Sequence, residues 1–377
     1  MIKETMTSKE RIDAAVRLEA VDRVPVVPLI YQFALRNKGI PHAVGLKDPE
    51  MAHKALADTL DDLGGYDAMI EPDFIFPGSS WKLTMAPTAY VTLDNNIGEN
   101  QSIQTYEEEI MTAEDYDTIA NKGWNGFCAE FLPRLRGLPL EKFDARQRKL
   151  AGIRKGDAAK WNARGVTVLS GAMTWSPIMI LSMGRTLTKF TMDLYRTPDR
   201  VQAAMDAMVD DLIENVKQEM KFTGLPWVYF PLERGSTFYY PLKIFERFEL
   251  PYLRKMALSF VAEDFMPMLH FDTDWTMNLP YLKEFPKGKC VCELDSTTNI
   301  FKAKEILNGH MCIMGDVPAS LLSLGTPDDI TGYCEKLIDV VGKDGGFILS
   351  TGCECPVDAK FENVRAMIDS VKNHLPV

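Results

Sequence analysis

Two pairs of residues in this 377-residue chain carry ligand chemistry at strand spacing: His270-x-Asp272 in LHFDTDW and Cys353-x-Cys355 in STGCECP. Imidazole, carboxylate and thiolate are donors that zinc takes, and a catalytic zinc keeps three protein ligands and one open position. Alternate residues of an extended strand point to one side, so either member of each pair, or both, can reach an ion. His270 stands out because the chain has only five histidines and this one closes the apolar run FMPML. A satisfied core histidine is the competing reading. A redox role for the cysteines fits less well, since a thioredoxin-like pair is C-x-x-C opening a helix, whereas here Pro356 follows a C-x-C. Cys290-x-Cys292 lies early in its apolar run and is expected in the core. No G-x-S-x-G elbow occurs, no G-x-G-x-x-G follows a strand, and GKDGG lacks the spacing of a phosphate loop, which argues against serine-nucleophile and dinucleotide chemistry.

The elements that must position these residues are eight short apolar runs. They start at Val24 (VPVVPLI), Tyr66 (YDAMIEP), Val166 (VTVLSG), Trp227 (WVYFPLE), Phe265 (FMPMLHFD), Lys289 (KCVCELD), His310 (HMCIMGDV) and Gly345 (GGFILSTGC). Apolar throughout rather than alternating, they suit parallel strands buried on both faces. Helical periodicity separates them, as in VQAAMDAMVDDLIENVKQEM from Val201 and PDDITGYCEKLIDVVGK from Pro327. At the start, Thr7 and Glu10 form a capping box for the helix SKERIDAAVRLE. The fold class expected is α/β, a single (β/α)8 barrel over 1–377. Roughly ninety residues separate the second and third strands, so a cap-like insertion is expected around 75–160, with YVTLDNNIGENQSIQTYEEEI as hairpin strands followed by helices.

Barrel strands present their reactive groups at their C-terminal ends. Those ends offer Glu71, Ser170, Glu233, His270 with Asp272, Glu293 with Asp295, Asp316, and Cys353 with Cys355. Polar residues are ordinary wherever a strand leaves the core, and for Glu71, Ser170 and Glu293 a structural or capping role is the expectation. The net charge of -11 disfavours nucleic acid and anionic membrane as partners, and no apolar run reaches about 18 residues, so no membrane span is expected. Lys3, Glu4, Lys9, Glu10, Arg11 and Asp13 precede any apolar run, so no targeting peptide is expected, and the odd number of cysteines, seven, suits reduced thiols in a cytoplasm.

MTSKERIDAAVRLEAVDRVPVVP, FERFELPYLRKM and GCECPVDAKFENVRAMIDSV resemble the uroporphyrinogen decarboxylase superfamily, which includes the cobalamin-dependent methyltransferases. LHFDTDW, CELDSTTNIFKAKEIL, MCIMGDVPASLL and GGFILSTGCECP resemble its branch of aryl methyl ether O-demethylase methyltransferases, of veratrol and vanillate type. The resemblance implies the same barrel. Decarboxylases of the superfamily hold a polycarboxylate with arginines near the first strand, and here VPLIYQFALRNKG carries Arg36 alone in an acidic chain. The methyltransferases are similar to one another in a zinc site of His-x-Cys and a later Gly-Cys. His270 and Cys353 match it, but Asp272 stands where the second ligand would be cysteine. Asp272 through oxygen, or Glu233, is expected to complete the set, with Glu249, expected to be exposed or structural, and Cys355 as further candidates.

Fewer thiolates leave zinc more electrophilic, which suits binding an ether oxygen and stabilising a departing phenolate. The implied reaction is demethylation of a methoxylated aromatic, the methyl passing to the Co(I) corrinoid (cobalamin) of a separate corrinoid protein docking on the mouth. Glu233, Asp272 and Asp295 are the expected catalytic side chains, with Asp295 and Asp316 also able to orient ligands or bind ring hydroxyls. Tyr31, Phe33, Phe74, Phe76, Trp81, Trp175, Phe238, Tyr239, Tyr240 and Trp275 are the aromatic set that follows strands. Most of these are expected to anchor loops, with the remainder lining an arene pocket. The alternatives are methyl transfer from a corrinoid protein to a thiol or pterin, a decarboxylase-like enzyme, or a non-catalytic member.

Overall fold

The computed structural model describes residues 2–45, 48–71, 89–91 and 104–375, so Phe74, Phe76 and Trp81 lie outside the described residues. All eight apolar runs form strand pairings. The fourth to eighth are Trp227–Leu232, Met266–Phe271, Val291–Leu294, Cys312–Val317 and Phe347–Thr351, joined in parallel and continuous with the third at Ser170–Met173. The second, Ala68–Met69, pairs in parallel with Thr167–Val168 just ahead of that third segment. The ring closes through the first run. Val27 N–H donates to Leu349 O and Leu349 N–H to Pro25 O, each at 2.9 Å, while on the other side Asp67 N–H donates to Val26 O at 2.9 Å. Each of the eight runs is thereby paired on both edges, the (β/α)8 arrangement, which leaves the ring no open edge.

The strands are buried almost without interruption, as their composition requires: Val228, Phe230, Met268, Leu269, Val291, Met314 and Ile348 are 0% exposed. Outside them the helices bury one stripe each. Pro198–Thr223 starts with Pro at its first position, buries Val201, Ala204, Met205, Met208, Val209 and Leu212 at three- and four-residue spacing, and ends on left-handed Gly224. The first helix, Ser8–Val16, has the reciprocal Thr7–Glu10 capping box.

Between the second and third strands stand the antiparallel pair Ala89–Val91 with Gln104–Tyr106 and the helices Asp115–Arg136 and Leu140–Ala163. At the N-terminal ends of the strands, opposite the mouth, buried ions tie the chain start to the barrel. Arg11 reaches Asp22 at 2.6 Å and Asp67 at 2.5 Å, Arg23 reaches Asp67 at 2.7 Å, and Val26 N–H also donates to Asp67 at 2.8 Å. Among the described residues no helix is long and apolar enough to cross a membrane.

Candidate metal centre

His270 is the last residue but one of the fifth strand, and parallel register sets it between Pro231 of the fourth strand and Glu293 of the sixth. His270 is 2% exposed and Glu293 0%. Their side chains meet at 2.6 Å, Nδ1 to Oε2, so the imidazole is oriented by a carboxylate and its Nε2 faces the mouth. On that side Nε2 lies 3.4 Å from Asp272 Oδ1 and 3.8 Å from Cys353 Sγ. One ligand atom from each of His270, Asp272 and Cys353 lies within 4.8 Å of the others. Nitrogen, oxygen and sulfur donors so close, with the outer imidazole nitrogen already held, fit a zinc-type ion with an open position.

Each ligand is set by its local chain. Cys353 follows Gly352, where a Cβ would come within 2.9 Å of the Asp295 carbonyl, so only glycine lets the eighth-strand loop lie against the sixth. Asp272 follows the fifth strand on a turn whose next residue, Thr273, has φ 69°.

The electrostatics are those of carboxylates crowded into a dry mouth. Burial, reinforced by the Asp272 charge, raises Glu233 to about 6. Burial likewise raises Glu354, the residue between the two cysteines, to about 7, against the opposing pull of His270. Burial alone would lower His270, yet Glu293 and Asp272 outweigh it and lift the imidazole well above its ordinary value. The Cys353 thiol is pushed up by burial, partly offset by His270. Carboxyls held above their ordinary range and an imidazole that keeps its proton are what a ligand cluster shows before a cation displaces its protons.

The remaining expected site residues divide clearly. Glu233 is half-buried and senses Asp272 and His270, but it is outside the three-ligand cluster. Glu249 is 0% exposed, which corrects the expectation of exposure: it is the junction of two helices and is capped by Gly235, where a Cβ would meet its Cδ at 2.8 Å. Burial raises it to about 8. Cys355 is 3% exposed, its N–H donating to Leu29 O at 2.8 Å and its Sγ facing the Pro356 carbonyl, a packing role outside the cluster.

Asp295 spends its oxygens on the Thr273 N–H at 2.9 Å and on the N–H and hydroxyl of Thr297. Asp316 accepts from Tyr333 at 2.8 Å and is raised by burial to about 7. Glu71 accepts from Ser170 at 3.0 Å, and Cys290 and Cys292 are core. Arg36 is exposed on the helix Tyr31–Asn37.

Of the aromatic set, Phe33, Tyr240 and Trp275 are core. Tyr31 is buried beside Glu71, Glu354 and Glu293, Trp175 and Tyr239 are half-buried, and Phe238 is 61% exposed. Three residues of the site do not stand out in the sequence: Glu293 looks structural, Glu354 is the x of C-x-C, and Tyr229, whose ring lies 5.6 Å from His270, is hidden inside an apolar run. A carboxylate inside VCEL was the one available signal, because a strand core tolerates a charge only with a partner.

A closed parallel barrel with an imidazole, a carboxylate and a thiol converging at its C-terminal mouth defines the class of protein this is. Residues 161–374 match the uroporphyrinogen decarboxylase (URO-D) family, and the chain belongs to it. Over 132 residues, 35% of this chain and 37% of the relative, it is 25% identical to the methylcobamide:CoM methyltransferase MtbA of Methanosarcina acetivorans. Over 126 residues, 33% and 35% respectively, it is 29% identical to a uroporphyrinogen decarboxylase of Anaeromyxobacter dehalogenans. These matches span about a third of each curated relative. A methyltransferase from Methanosarcina mazei shares the fold over 98% of this chain and 99% of its own, with a TM-score of 0.70 at 17% identity.

Proposed function

We propose that this chain is a cytoplasmic, zinc-dependent methyltransferase that removes the methyl group of a methoxylated aromatic and passes it to the Co(I) corrinoid of a partner protein docked on the barrel mouth. The observation that carries the metal reading is the convergence of His270 Nε2, Asp272 and Cys353 within 4.8 Å, with Glu293 fixed behind the imidazole. The chain is similar both to a methylcobamide:CoM methyltransferase and to a uroporphyrinogen decarboxylase, and what supports methyl transfer is the metal-type cluster together with the exposed position of Arg36, the first strand's lone following arginine.

His270, Asp272 and Cys353 would hold the ion, with Glu233 the next carboxylate within reach of the same charges. Zinc, when bound, supplies Lewis acidity to the ether oxygen. In the transfer the methyl–oxygen bond breaks, the methyl group leaves for the corrinoid, and the oxygen keeps the electron pair. Glu293 keeps Nδ1 engaged, so Nε2 stays free to donate. Glu354, raised to about 7, keeps a proton in about half the molecules near neutrality and Glu233, raised to about 6, in a smaller share, and either can hand it to the leaving oxygen. Tyr31, Tyr229, Trp175 and Tyr239 offer apolar walls for a ring at the same mouth.

Purified protein should contain zinc. With reduced corrinoid protein and a panel of methoxyarenes it should give the spectral change of cobalt methylation, which His270→Ala abolishes. Absence of zinc together with full activity of His270→Ala would refute the metal reading. The match to MtbA favours a second reading, transfer from methylated corrinoid to a thiol. Silence across the arenes with consumption of a thiol would establish that direction instead.

A further inference from the structure

We infer that Asp295 and Trp275 are positioning residues that hold Asp272 as the oxygen donor of the cluster; the inference rests on the metal reading above. Asp272 lies just past the end of the fifth strand, Met266–Phe271, where the sheet no longer fixes the backbone. A short carboxylate there contributes to a ligand set only if its turn has one conformation. The turn is costly, because Thr273, a β-branched residue, sits at φ 69°, and such a conformation persists only where surrounding contacts over-determine it.

The surrounding contacts do so. Trp275 Nε1 donates to the carbonyl of Asp272 itself at 2.7 Å, and the indole is 2% exposed, packed at 4.6 Å on Phe271 and edge-on to Phe245 at 6.2 Å. Thr273 N–H donates to Asp295 at 2.9 Å. Thr298 donates to the Thr273 carbonyl and accepts from Trp275 N–H, both at 2.9 Å. Asp295 also lies against the second ligand segment, since its backbone is the surface that Gly352 packs on, one residue before Cys353. One residue thus braces the chain on both sides of the cluster, and its oxygens are consumed by Thr273 and Thr297 rather than offered to a substrate.

The test uses Co(II) as a spectroscopic substitute on the full chain, comparing wild type, Asp295→Asn, Trp275→Phe, Asp272→Ala and the double variant Trp275→Phe/Asp272→Ala, each checked for folding by circular dichroism. Wild type should bind one Co(II) with a thiolate-to-cobalt charge-transfer band. Its absence would overturn the metal reading, and this inference with it. Given that band, Trp275→Phe and Asp295→Asn should each weaken Co(II) binding about 10- to 100-fold, the size usual for lost outer partners of a ligand, shifting the d–d bands while retaining the charge-transfer band of Cys353. In the Asp272→Ala background Trp275→Phe should cost nothing more. Wild-type affinity and d–d spectra in both single variants, or an undiminished loss when Asp272 is already absent, would overturn the positioning role while leaving the metal reading intact.

Discussion

Replacing Glu293 should weaken metal binding by an amount set by the charge it brings to His270. The pair is 2.6 Å apart, with Glu293 0% and His270 2% exposed, so the hydrogen bond is charge-assisted and unscreened. Such bonds contribute about 1.5–3 kcal/mol against about 0.5–1.5 for neutral ones. Glu293→Gln keeps shape and an acceptor but loses the charge, a difference of about 1–1.5 kcal/mol, or roughly tenfold in zinc affinity. Glu293→Leu also frees the imidazole to rotate and change tautomer, and should cost about 10- to 100-fold. The carboxylate also raises the His270 proton affinity, so at low pH the proton competes with the metal. Removing Glu293 lowers that competition, and the pH midpoint of metal binding should move down in Glu293→Gln while the plateau affinity at alkaline pH falls. Competitive titration against a chromophoric chelator across pH reads both. Wild-type plateau affinity in Glu293→Leu would refute the claim that His270 binds through Nε2 with Glu293 behind it.

Cys353→Ala should abolish the thiolate-to-cobalt band while Cys355→Ala leaves it in place, because only Cys353 is in the cluster; the reverse result in Co(II) spectra would exchange their roles. Asp67→Ala removes the buried carboxylate that Arg11 and Arg23 share, leaving them Asp22 and Glu4, and should cost about 1.5–3 kcal/mol, seen as a fall of several degrees in Tm, with metal affinity unchanged because the network lies at the far end of the barrel. Glu249, ordinarily near 4.5, is raised to about 8 in the fold. Between those values the unfolded chain gives up a proton that the native state keeps, so stability falls as pH rises through that window. The ceiling is about 5 kcal/mol at 1.36 kcal/mol per pH unit. Glu249→Gln removes this penalty and should make denaturant-measured stability fall less steeply between about pH 5 and 8 than in wild type; an unchanged slope would show that Glu249 does not titrate so.

The barrel was legible in the chain because its strands are buried on both faces. VYFPL, MPMLHF and IMGDV leave no polar alternation, and uninterrupted apolar runs followed by helical periodicity have one economical solution. His270, Asp272 and Cys353 were legible for a related reason: ligand-type residues stand out where such a run ends, and strand ends of a barrel share one mouth. The insertion was legible as excess length and, in YVTLDNNIGENQSIQTYEEEI, as hairpin strands followed by helices, but nothing in that stretch says against which face it rests.

Pairing across strands was not legible. That Glu293 backs His270 depends on the register of the fifth and sixth strands, and a shift of one residue would turn the carboxylate to the other face. That Asp295 serves Thr273 and Thr297 rather than a ligand depends on two loops meeting. Sequence alone thus determined which chemical groups stand at the mouth, because burial patterns are local and one-dimensional. Which of those groups touch, which are spent on backbone, and how far each proton affinity moves were decided by the tertiary structure, because hydrogen bonds and charge interactions act over a few ångströms between residues as distant in the chain as His270 and Cys353.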